Sequence, residues 1–131
     1  MLIDNELIEK MFEEAATHPR KRAYLDLRND ADEASQRMLV AVLPSDVKEV
    51  IHRHRTTSES LAVLKGNMTE IFYNEEGKET MRFTLDPSIG QYALQVPKGV
   101  FHTLIANTPS VFIESKAGKY APCEPEDLLE L

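Results

Sequence analysis

The stretch from 51 to 66, IHRHRTTSESLAVLKG, decides how the rest of the chain is read. His52 and His54 stand two apart, so on a β-strand both imidazoles project from one face, the spacing that a shared metal ion needs. Glu59 adds a hard anionic oxygen, and Glu59, Leu61 and Val63 then alternate on one face before Gly66 ends the run. Far downstream, His102 follows a Pro97-Lys98-Gly99 turn and shares a face with Val100 and Leu104. Three imidazoles and one carboxylate on strand-like segments are the makings of a mononuclear site for a divalent transition metal: Zn, Fe, Mn, Ni or Co.

Working outward, the flanking segments keep the period of strands. Alternation at 23–28, an apolar run at 36–43 that must be buried on both faces, and a metal-bearing strand at 47–55 precede the ligand block. Segments 69–73 and 80–85 flank the acidic hairpin tip Asn74-Glu75-Glu76-Gly77-Lys78, and strands at 92–96, 100–106 and 111–115 follow. Eight or nine short strands separated by Pro, Gly and Asn turns, with no βαβ alternation, predict an all-β sandwich or barrel. Only the N-terminus differs. Ile3, Leu7, Ile8, Met11, Phe12 and Ala15 recur at helical spacing, Asp4 can cap the start, and His18-Pro19 stops the run.

The paired blocks His52-x-His54-x4-Glu59-x6-Gly66 and Pro97-x-Gly99-x2-His102 resemble the two motifs of the cupin superfamily, and within it the bacterial WbuC-type proteins. Pro19-Arg20-Lys21-Arg22, Gln36-Arg37 and Glu114-x-Lys116-x-Gly118-x-Tyr120 extend the resemblance over roughly residues 18 to 122. Asp46 stands where the first motif usually has glycine, and Ala106 with Asn107 where the second usually has asparagine; neither change removes a ligand. The resemblance implies a single-domain double-stranded β-helix, or jelly-roll barrel. Residues 1–18 would form a helix packed on it, 19–122 the barrel, and 123–131 an acidic tail, either a short helix or disordered. It also implies a small polar ligand such as a carbohydrate or sugar nucleotide, and a homodimer.

Three function classes stay open: a metal-dependent enzyme of isomerase or epimerase type, a non-catalytic binding or sensing module, and an Fe-dependent dioxygenase. Arg20 and Arg22 are candidates for an anion-binding rim, and Gln36, Arg37, Tyr92, Glu114, Lys116 and Tyr120 for ligand contacts around the metal. No general base is assigned. The chain has 131 residues, enough for one core, and a net charge of −7, which argues against a nucleic-acid partner. Cys123 is the sole cysteine and cannot form an internal disulfide. The first residues lack a basic n-region and no apolar run approaches a bilayer span, so a cytoplasmic protein without membrane contact is expected.

Overall fold

The computed structural model describes residues 1–131. Helix α1 (Asn5–Thr17) begins where predicted, with the Asp4 carboxylate accepting from the Leu7 amide at 3.0 Å. Ten strands follow: β1 (Arg22–Asp26), β2 (Ser35–Val42), β3 (Ile51–His52), β4 (Glu59–Lys65), β5 (Met68–Tyr73), β6 (Glu79–Leu85), β7 (Ala93–Val96), β8 (Phe101–Ala106), β9 (Ser110–Ala117) and β10 (Leu128–Leu129). They form two five-stranded antiparallel sheets, ordered β1-β2-β9-β4-β7 and β10-β3-β8-β5-β6. This is the jelly roll with one N-terminal helix that the family resemblance implies.

The apolar run in β2 is buried on both faces because each face has its own partner. Val40 and Val42 point between the sheets and join Leu61, Val63, Met68, Phe72, Leu85, Val96, Ala106 and Phe112. Leu39 and Ala41 point outward and are covered by Ile8, Met11 and Ala15 of α1, with Ala23 and Val111. The helix therefore closes the outer face of one sheet and leaves the inner faces to build the cup.

Along those inner faces, polarity rises strand by strand in one direction. On β9 the inward residues run Phe112, Glu114, Lys116; on β4, Val63, Leu61, Glu59; on β8, Ala106, Leu104, His102. Register aligns these gradients, since Glu59 pairs with Lys116, Leu61 with Glu114, and His52 with His102. One end of the sandwich is thus packed hydrocarbon and the other is lined with ligand-type side chains.

One expectation is corrected and one is extended. The strand predicted at 47–55 is only the two residues Ile51–His52, because β3 meets β8 at a single pair, His52 with His102, and residues 47–50 lie outside both sheets. His54 therefore lies past the strand's end, where its carbonyl accepts from the Gly99 amide at 2.7 Å and ties the two motifs together. The tail, expected as a short helix or disordered, holds a short 3-10 helix and adds a strand that was not expected. Its turn at Pro125–Asp127 leads into β10, which pairs with β3 through Leu128–His52 and Leu129–Ile51. Arg53 holds it, with Nε 3.2 Å from Asp127 Oδ1 and the guanidinium 4.5 Å above the Phe101 ring; Arg55 also pairs with Asp127.

Gly66 closes β4 at φ +102°, and a Cβ there would lie 2.5 Å from the Pro109 carbonyl oxygen. Only glycine meets both demands at the end of the first motif.

Candidate metal centre

His52 and His102 face each other across the β3–β8 pair, with ring centroids 4.4 Å apart, and His54 completes the triangle at 4.9 and 5.6 Å. Glu59 arrives from the opposite sheet. The ligand atoms of His52, His54, Glu59 and His102 all lie within 4.8 Å of one another, an arrangement that could hold one metal ion. Strand phase puts three of them there; the Gly99–His54 hydrogen bond fixes the fourth.

The donor states fit a divalent cation. His102 Nδ1 lies 2.9 Å from the Val100 carbonyl, which takes its N–H and leaves the buried Nε2 lone pair without a protein partner. Burial, reinforced by the neighbouring imidazoles, depresses the His52 pKa to about 4, and burial likewise lowers that of His102, so both rings are neutral at physiological pH. Burial alone would raise the Glu59 pKa. His54 and Lys116 outweigh it and hold the carboxylate at about 2. His54 Nε2 approaches Glu59 Oε2 to 3.1 Å without hydrogen-bond alignment, as two groups converging on a common point do. Neutral imidazoles and an ionised carboxylate are the forms that bind metal, and the N3O set suits the transition ions named above.

The site opens into a cavity of about 160 Å³, lined among others by Glu59, His52, His102, Glu70, Glu114 and Thr103. Of the other sequence candidates, Arg20, Arg22 and Glu114 also line it. Arg22 is not a free anion clamp, because Glu49 already takes its Nη2 at 2.8 Å through both oxygens; Arg20 is the less engaged, 3.9 Å from the same carboxylate. Lys116 points inward and lies 3.3 Å from Glu59 Oε2, a contact that orients the ligand. The remaining four lie outside the cavity lining. Gln36 donates to the Gly118 and Lys119 carbonyls, Arg37 pairs with Glu33, and Tyr92 and Tyr120 are exposed. Strand phase cannot separate such residues from inward ones until the register of the sheets is known.

Sequence reasoning missed Glu70. It sits on β5 between Met68 and Phe72 on the inner face, opposite Leu104, and is wholly buried. Burial, with Glu59 and Glu114 nearby, pushes its pKa up to about 9, and burial with Glu59 also raises that of Glu114. The signal was present in the alternation Met68, Glu70, Phe72: one charged residue on an otherwise apolar face.

No curated protein matches the chain by sequence. Among solved structures, it is similar to the capsular polysaccharide assembling protein CapF of Staphylococcus aureus, with TM-score 0.64 and 18% identity over 88% of this chain and 33% of that one. It is also similar to the Bacillus subtilis oxalate decarboxylase studied for its Mn(II) centres, with TM-score 0.57 and 19% identity over 77% of this chain and 26% of that one. A cupin-2 domain containing protein of Shewanella frigidimarina matches with TM-score 0.52 and 22% identity over 74% and 80%. The chain thus spans about a third of CapF and a quarter of the decarboxylase. No helix is long and apolar enough to cross a membrane. By sequence, a family model matches residues 3–85, which contain His52, His54 and Glu59 but not His102. The chain belongs to the family described as Domain of unknown function (DUF6016), and it folds as a cupin.

Proposed function

We propose that this protein is a mononuclear divalent-metal cupin of the WbuC type that binds a small polar ligand of the carbohydrate class. The convergence of His52, His54, Glu59 and His102 within 4.8 Å at the wall of a cavity carries the reading. Four protein ligands in an open cup leave coordination positions for a ligand oxygen, unlike a closed structural site. The likeness to a capsular polysaccharide assembling protein supports the carbohydrate class, and the likeness to a protein with Mn(II) centres supports the metal.

Cavity size sharpens the ligand. About 160 Å³ is close to the volume that holds one benzene-sized molecule, so it admits a single ring and not a whole sugar nucleotide. The nucleotide part of such a ligand would lie outside, past Arg20 at the rim. A bound metal would act as a Lewis acid, polarising a ligand carbonyl or hydroxyl in the manner of isomerase or epimerase chemistry. The chain's own residues do the rest: Lys116 fixes Glu59, Val100 fixes the His102 tautomer, and Leu104, Phe112 and Met68 exclude water. The unpaired outer edges of β1 and β6 support pairing with a second copy, to be checked by light scattering.

Elemental analysis of protein purified without chelator or affinity metal tests the reading. One equivalent of a transition metal, absent in His102→Ala, is the expected result. No metal, and no uptake of added Fe(II), Mn(II), Ni(II) or Zn(II), would overturn it.

A further inference from the structure

Glu70 is 0% exposed, and both of its carboxyl oxygens lie buried without any protein hydrogen-bond partner. Leaving such a group unsatisfied costs a fold stability, so its persistence on an apolar face calls for a partner from outside the chain. Both its position and its neighbours aim it into the cup. It lines the cavity one strand pair deeper than His102, at the level of Leu104, with Glu114 contributed by the facing sheet. It is not among the four residues whose ligand atoms converge, so the metal does not account for it.

We propose that Glu70, together with Glu114, is the ligand-gripping pair of the cup, exchanging hydrogen bonds with adjacent hydroxyls of a single sugar ring or small polyol. This rests on reading the cup as a site for a small polar ligand, and adds which atoms hold it and what they hold. Hydroxyls are the fitting class because each both donates and accepts, and so completes a carboxyl whichever form it takes. A cationic ligand would require buried Glu70 and half-buried Glu114 to be ionised together. Met68, Leu104 and Phe112 offer apolar walls to the C–H faces of such a ring.

The test uses the full chain loaded with zinc, as wild type, Glu70→Met and Glu70→Gln. Glu70→Met removes the unsatisfied carboxyl at nearly constant volume, so its Tm rises while zinc stoichiometry stays unchanged. A fall in Tm would reveal a structural partner for Glu70 and overturn the proposal, as would loss of zinc in Glu70→Gln. The probes are D-glucose, D-galactose, D-mannose and myo-inositol, titrated at millimolar concentration against the amide resonances of Thr103 and Leu104. At least one is expected to shift these resonances in the wild type, with affinity about tenfold weaker in Glu70→Met, the loss expected from removing buried polar contacts. No shift with any probe in the wild type would also overturn it. A wild type that takes up no zinc would instead sink the metal reading, while the sugar titration still decides the role of Glu70.

Discussion

Two buried regions of this molecule obey opposite rules. Under α1, the cluster of Ile8, Met11, Ala15, Ala23, Leu39, Ala41 and Val111 is wholly apolar and leaves nothing unsatisfied. In the cup, on the far side of the same sandwich, His54, Glu70 and His102 supply four of the five buried side-chain atoms that lack a partner. The first region has what a fold needs and the second what a ligand needs, and β9 serves both by turning Val111 outward and Glu114 inward. Stability is concentrated where nothing binds, which lets the cup keep polar groups that would be costly as pure architecture.

The comparison breaks most completely at the metal. Replacing His52 and His54 together with alanine should take metal content from one equivalent to none while the circular dichroism spectrum stays that of a β-protein; retained metal would remove the site assignment. The converse change lies under the helix. Leu39→Ala, at a fully buried position, should cost about 2–5 kcal/mol in a urea melt, and the protein that remains folded should bind metal as before.

A smaller effect should come from the tail, which stays clear of the cluster under α1 and braces the histidine strand through Leu128–His52. Asp127→Ala removes the carboxylate that Arg53 and Arg55 share and loosens β10 from β3. Metal affinity, measured by competition with a coloured chelator, should fall about tenfold, the loss typical of removing a group that orients a ligand. Unchanged affinity would make the tail mere cover.

The subtlest difference concerns pH. Glu70 has its pKa raised from 4.5 to about 9, so between those values the folded chain keeps a proton that the unfolded chain has lost. Its contribution to stability is fully present below 4.5 and is lost as pH rises toward 9. His52 acts in the other direction, adding stability between about 4 and its ordinary 6.5, and is silent above that. Above 6.5, therefore, the melting temperature of the metal-free protein should decline with pH, and Glu70→Gln should flatten that decline. An identical slope in the variant would place the titrating group elsewhere.

An all-β sandwich or barrel and the four ligand-type residues were legible in the sequence alone. Both are local signals: alternation at period two, glycine and proline turns, and HxH-x4-E with PxGxxH at spacings that strands translate directly into direction. It also located α1 and its cap, because helical period and an Asp N-cap are read within a few residues. Tertiary structure alone decided which of the twelve candidate residues meet. Gln36 and Glu114 belong to the paired strands β2 and β9, which line the cavity through Val42 and Glu114; Gln36 does not, since it stands at the other end of β2, opposite Lys116, and turns to the 118–119 backbone. The shortness of β3, the return of the tail to brace it and the depth of Glu70 likewise depend on pairing across long separations. Such pairing fixes register and layer, and these are properties of two strands together that neither carries alone.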